Sequence, residues 1–228
     1  MVKKVLMVVT SHDQLGNTEQ STGLYLSEFA HPYEIFEQAG YEISVASPKG
    51  GDAPVDPKSL NDELEQYITH VQDTLTLAQV EAEDYDIFFV VGGHGTVWDL
   101  PDNPELQRIF PNAYDQGKII AAVCHGPAAL VKLKKDNGEF LIKGKNLAGF
   151  SNEEESAISL TEVVPFLLED AIKNAGGNYI DSPKWSKNVV VDERIVTGQN
   201  PTSARGVAEA VTALVTGTTE SKVAVGAS

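Results

Sequence analysis

Cysteine is almost missing from this chain, whose 228 residues hold one, Cys124. A single thiol cannot close an internal disulfide, so the fold must rest on its core and a reducing, cytoplasmic setting is expected. Basic charge is scarce as well. Lys and Arg total 17 against 33 Asp and Glu, a formal net charge of −16. Such a surface repels phosphate backbones and anionic headgroups, so neither nucleic acid nor membrane is an expected partner. No segment approaches the roughly 20 apolar residues needed to cross a bilayer. Lys3-Lys4 before Val5 to Val9 imitates a secretion signal. The run is too short and polar Ser11-His12-Asp13 follows directly, so a first strand is expected. Metal motifs are lacking too, with no HExxH, no CxxC and no tight His/Asp cluster, and no metal is expected. The five histidines, at 12, 31, 70, 94 and 125, all lie at or before position 125. A cysteine–histidine pair with its histidine far downstream is therefore excluded.

What is present reads as one globular domain spanning residues 1–228, at 42% hydrophobic and 22% charged. A chain of this length buries roughly 70% of its extended surface. Apolar runs predict strands at Lys4–Thr10, Tyr41–Ala46, Asp86–Val91, Ile119–Val123 and Asn146–Phe150, with a hairpin of 188–191 and 194–197 around Asp192-Glu193. Helical patterns fall at about 23–38, 61–71, 103–116, 160–175 and 204–214, and another helix is expected after Cys124. Pro32 should kink the first of these, Asn103 should cap another, and Gly176-Gly177 should end the fourth. The alternation implies an α/β three-layer sandwich, a mainly parallel sheet with helices on both faces. The polar end from about 216 reads as a frayed tail.

In such a sheet, ligands bind beyond the carboxyl ends of the strands, which makes three loops interesting. Cys124 closes the buried run Ile119–Val123, and Gly126-Pro127 then allows a tight turn into a helix start. The corner is analogous to a nucleophile elbow, and unpaired N–H groups with a helix dipole would favour the thiolate. The ordinary alternative is a small buried core cysteine. His125 presents both an imidazole and a backbone N–H beside the sulfur, and His94 is the chief histidine on an earlier loop. Gly92-Gly93-His94-Gly95 is no phosphate-binding pattern, but glycines at a strand end leave N–H groups uncovered for an oxyanion. Glu28 lies four residues before Pro32, so it is either a solvated helical acid or one turned inward by the kink. Glu153-Glu154-Glu155 begins a helix, where carboxylates suit the positive dipole end, and at most one should face a site.

The run Ala122-Val123-Cys124-His125-Gly126-Pro127, taken with Glu28-Phe29-Ala30-His31-Pro32 and Gly92-Gly93-His94-Gly95, resembles the ThiJ/PfpI superfamily of the flavodoxin-like, class I glutamine amidotransferase-like fold. Thr22-Gly23, Gly149 to Glu155 and Thr197-Gly198-Gln199-Asn200-Pro201 extend the likeness over nearly the whole chain. The long segment at about 47–83 is similar to an insertion of the heat-shock chaperone and glyoxalase III branch. The resemblance implies Cys124 as nucleophile, His125 as acid/base, Glu28 as the carboxylate beside the sulfur and Glu155 as the acid that orients the histidine. It also implies backbone donors at Gly93 and His125 around a substrate oxygen, which places the loop residues Gly92, Gly93 and His94 at the substrate. The implied activity is a glyoxalase III reaction that turns methylglyoxal into D-lactate, or glyoxal into glycolate, with no cofactor, in a homodimer. Glu153 and Glu154 stay open as alternatives to Glu155. The competing activities are a holding chaperone or cysteine redox sensor, and a deglycase or peptidase-type hydrolase.

Overall fold

Unbroken aliphatic runs make strands when both of their faces are covered, and three such runs form the centre of this molecule. The computed structural model describes residues 2–218. Its strands are β1 (Lys4–Val8), β2 (Glu42–Ser47), β3 (Leu75–Thr76), β4 (Ile87–Val90), β5 (Ile119–Val123), β6 (Asn146–Leu147), β7 (Asn178–Tyr179), β8 (Val189–Asp192) and β9 (Ile195–Gly198). Its helices are α1 (Leu26–Gln38), α2 (Thr96–Asp99), α3 (Pro104–Asp115), α4 (Asn152–Ala157), α5 (Leu168–Asn174) and α6 (Ala204–Thr216). Seven strands form one sheet in the order β3-β2-β1-β4-β5-β9-β8, parallel except for β8, and β6 pairs with β7 in a small separate sheet. Val5 to Val9, Ile87 to Val91 and Ile120 to Val123 are fully buried, so the core runs along β1, β4 and β5. The mainly parallel α/β class expected from the alternation is the class observed, and it agrees with the flavodoxin-like fold that the resemblance implies.

Strand order decides where a ligand can sit. From β1 the chain steps outward to β2 and β3, then crosses to β4 and β5 on the other side. Right-handed crossovers in opposite directions place α1 and α3 on opposite faces, and α6 packs beside α1. The crevice between the carboxyl ends of β1 and β4 is the switch point where such sheets bind ligands. In register, Val8 lies beside Val90, Val90 beside Ala122 and Val123 beside Gly198. The loops after β1, β4, β5 and β9 therefore emerge together at one edge.

Several elements differ from expectation, each for a local reason. The helix expected at 61–71 is a 3-10 segment, Glu65–Val71. Asn61 accepts a hydrogen bond from the Glu63 N–H, an alternative to helix, and β-branched Ile68, Thr69 and Val71 are weak helix formers. Of the helix expected at 160–175 only Leu168–Asn174 forms, because Pro165 lacks the N–H that a continuous helix would need. The segment after Cys124 is a five-residue 3-10 turn, Gly126–Leu130, wholly buried against α2 and α5. The strand expected over Asn146–Phe150 keeps two ladder residues before Ala148 turns its N–H to Thr197 Oγ1 at 2.8 Å. The short strands β3 and β7 carry no periodic signal. Pro32 lies inside α1, where it offers no N–H to the carbonyl of Glu28 one turn earlier. The expected hairpin forms, with Glu193 at φ +52 in its turn. Of the polar tail, residues 219–228 lie outside the described residues.

Candidate active site

Cys124 follows directly on β5 at φ +59, a left-handed conformation that a non-glycine residue adopts only when its surroundings hold it there. Its own N–H donates to Gly198 O at 2.9 Å, and its carbonyl accepts from the Phe150 N–H at 2.8 Å. Pinned on both sides, the residue directs Sγ into a cavity of about 290 Å³. Leu15, Tyr25, Gly93, His94, His125, Phe150, Ile158, Leu160, Trp185 and Pro201 contribute to its walls, with Asp56 and Lys58 from the long segment after β2.

His125 follows the nucleophile position with its ring buried against Phe150, centroids 4.4 Å apart. Nδ1 lies 3.4 Å from Cys124 Sγ and Nε2 lies 2.7 Å from Glu155 Oε2. Glu155 cannot donate when ionised, so the neutral imidazole carries its proton on Nε2 and turns the Nδ1 lone pair toward the thiol. His94 Nε2 donates to the other oxygen of the same carboxylate, Oε1, at 2.9 Å. Burial works to raise Glu155, but the charge and hydrogen bonds of the two imidazoles outweigh it and hold the carboxyl at about 2. Burial lowers His125, helped by His94 and opposed by Glu155, which favours the neutral base.

Glu28 sits in the first turn of α1 with no solvent exposure. Burial holds its carboxyl well above the ordinary carboxylate range, although the adjacent thiol and the Gly92 N–H favour the charge. Neither carboxyl oxygen has a partner of good hydrogen-bond geometry. Gly92 explains how the acid reaches the sulfur. A Cβ there would stand 2.2 Å from Glu28 Oε2 and 2.9 Å from Cys124 Cβ, so only glycine leaves room for the pair. Gly93, at φ +106, turns the chain toward the cavity, where a Cβ would meet Gly23 O at 2.3 Å. Among the described residues, the N–H groups of Gly93 and His125 have no backbone or side-chain oxygen partner.

The thiolate expected from a helix dipole needs correction. Burial pushes the Cys124 thiol well above its usual range, and Glu28, when charged, pushes it further. The short 3-10 turn that follows supplies little dipole. A protonated Glu28 removes the repulsion and becomes a donor, so ionisation of the sulfur depends on its partners.

The fold brings Cys124, His125, Glu28, Glu155, Gly93 and His94 to one place, and Gly92 lies behind the cavity wall beside Glu28. It also separates the three acids of α4. Glu153 is exposed and pairs with Lys184 at 3.2 Å. Glu154 closes a capping box with Ser151 through Oε2, while its Oε1 accepts from the Trp185 N–H and Asn200 Nδ2, each at 2.8 Å. The sequence shows no tight His/Asp cluster, yet His94, His125 and Glu155 offer donor atoms within 4.8 Å of one another. Both Nε2 atoms already bind the carboxylate, so an ion there would have to replace both hydrogen bonds. Tyr25, Phe150, Ile158 and Trp185 escape sequence reasoning, because apolar wall residues carry no spacing that separates them from core.

The chain is similar to proteins of one kind along most of its length. Glyoxalase 3 of Candida albicans is 36% identical, the match covering 92% of this chain and 97% of that protein. A glutathione-independent glyoxalase of Saccharomyces cerevisiae is 32% identical over 90% of this chain and 95% of its own. The crystal structure of glyoxalase III from Candida albicans superposes with a TM-score of 0.86 at 35% identity, covering 92% of this chain and 96% of that one. Residues 21–214, which carry Glu28, Gly92 to His94, Cys124, His125 and Glu155, match the DJ-1/PfpI family, and this protein belongs to it.

Proposed function

We propose that this protein is a glutathione-independent glyoxalase that converts methylglyoxal and water to D-lactate. The observation that carries the reading is the relay Cys124 Sγ–His125 Nδ1, His125 Nε2–Glu155, with Glu28 beside the sulfur at the base of a cavity. Relatives named glyoxalases, matched over nine-tenths of the chain, support the same reaction.

The chemistry follows from the placement. Cys124 gives its proton to His125 Nδ1, and Glu155 stabilises the imidazolium that forms. The sulfur attacks the aldehyde carbon, an S–C bond forms, and the carbonyl electron pair becomes an oxyanion that the N–H groups of Gly93 and His125 can receive. His125 returns its proton to that oxyanion, and the neutral imidazole so restored takes the hydrogen on the same carbon as a proton, whose electron pair makes an enediolate. Protonation of the neighbouring carbon completes an internal redox exchange, in which the aldehyde carbon is oxidised to a thioester and the ketone carbon is reduced to an alcohol. Water then cleaves the S–C bond, releasing lactate and the thiol. The groups present handle each proton, so no step is routed through a metal or a thiol cofactor. Glyoxal would give glycolate in the same way. A lone cysteine suits the reducing cytoplasm we propose for it, and family resemblance leads us to expect a homodimer.

Purified protein given methylglyoxal without glutathione should form D-lactate, read with a handedness-specific assay. Cys124→Ala should lower the rate by at least roughly 10³-fold, and full activity in that variant would refute the assignment.

A further inference from the structure

The cavity is larger than its proposed substrate requires. Methylglyoxal is a three-carbon aldehyde, yet about 290 Å³ is enclosed here, near the lower end of the few hundred Å³ that takes a drug-sized ligand. The reactive groups lie deep, with Cys124 at 3% exposure and His125 at 1%. Leu15, Ile158, Leu160, Trp185 and Pro201 form an apolar part of its wall, and of these Ile158 and Trp185 are exposed to solvent. Ile158 and Trp185, 38% and 43% exposed, are among the few large apolar side chains that the described surface leaves open, and both face this cavity. Apolar groups kept in water at the mouth of a reactive site are best explained by what they cover when substrate enters.

Trp185 is also held in place. Its φ of +65 is unfavourable for a bulky side chain, so the conformation persists only because the loop is tied down. The ties are the Trp185 N–H to Glu154 Oε1 and Asn200 Nδ2 to the Ser186 carbonyl, each at 2.8 Å, with Lys184 paired to Glu153. The indole stands 5.9 Å from the Phe150 ring, and Phe150 packs on His125. A flat substituent on the ketone carbon would therefore meet two aromatic surfaces just outside the reacting atoms. Asp56 and Lys58 line the cavity as well, but they belong to a different wall segment, between β2 and β3.

Building on the glyoxalase reading, we infer that the preferred substrates are 2-oxoaldehydes with a large apolar or aryl substituent, and that Trp185 is the specificity-determining residue that receives it. The reaction balances as before, with phenylglyoxal and water giving mandelate. The test compares kcat/KM for phenylglyoxal and for methylglyoxal in the wild type, Trp185→Ala and Trp185→Phe. The wild type should prefer phenylglyoxal. Trp185→Ala should lower the phenylglyoxal-to-methylglyoxal ratio by roughly 10-fold or more, mainly through KM, since even one methylene in an apolar pocket discriminates by about 10–200-fold. Trp185→Phe should recover most of the ratio, which a merely structural role for the loop would not produce. An unchanged ratio in Trp185→Ala overturns the inference, as does a wild type that turns over methylglyoxal and ignores phenylglyoxal. A wild type inert toward both 2-oxoaldehydes overturns the glyoxalase reading itself.

Discussion

One carboxylate, Glu155, decides how the imidazoles of this site behave. It accepts from both His94 and His125, so it fixes the tautomer that turns a lone pair toward Cys124. Glu155→Gln keeps the shape but loses the charge, and its amide can donate where the imidazole must donate. We expect kcat to fall by about 10²–10³-fold with KM little changed, and the pH–rate profile to shift, both measurable by lactate formation. Glu28 acts differently, since burial favours its neutral acid and thus a donor beside the sulfur. A sulfur this enclosed, raised by burial, is a poor match for the accessible low-pKa cysteine of a peroxide sensor. At this scale the sequence was informative about Cys124, His125 and Glu28, whose neighbours in the chain mark the elbow and the proline helix. It left Glu153, Glu154 and Glu155 open because all three suit a helix N-terminus equally. The Ser151-Asn152-Glu153-Glu154 spacing is a capping-box signature, and it would have assigned Glu154 to the cap.

Short elements position the catalytic groups. The six-residue helix α4 holds Glu155 toward the histidines and Glu154 toward the Trp185 loop, so its start sets both the relay and one cavity wall. Ser151→Ala removes the side-chain acceptor for the Glu154 N–H. The loss should be about 1 kcal/mol in urea unfolding, with a larger proportional drop in activity than stability alone predicts. Long periodic elements, α1, α3 and α6, were legible because their buried stripes repeat over three turns or more. The 3-10 turns at 65–71 and 126–130 were not, since tertiary contact rather than periodicity stabilises so short a piece.

For the whole molecule, pH and salt act on opposing terms. Glu155 is lowered from 4.5 to about 2, so its pairing stabilises the fold fully above 4.5 and is lost as pH falls through about 2. His125 is lowered from 6.5, so the cost of charging it begins as pH drops below that value. Glu28 is raised, so its contribution is complete at low pH and is lost as pH rises through its folded value. Between 6.5 and 4.5 the protonation of Glu28 offsets the cost of charging His125, so urea unfolding across pH should show net acid destabilisation below 4.5, and Glu155→Gln should flatten that limb. The net charge of −16 adds self-repulsion. Raising salt from about 10 mM to about 150 mM shortens the screening length from roughly 30 to 8 Å and should raise Tm by about 2–4 °C. The amino-acid sequence alone determined the parallel α/β class, the elbow that carries the sulfur and the acidic surface, because each is written in local pattern or in composition. Only the tertiary structure decided which acid meets the imidazoles, which aromatic rings wall the cavity and whether the thiol is ionised. Those outcomes depend on groups distant in the chain, such as Glu28 and Cys124, excluding water from one another once the strand ends converge.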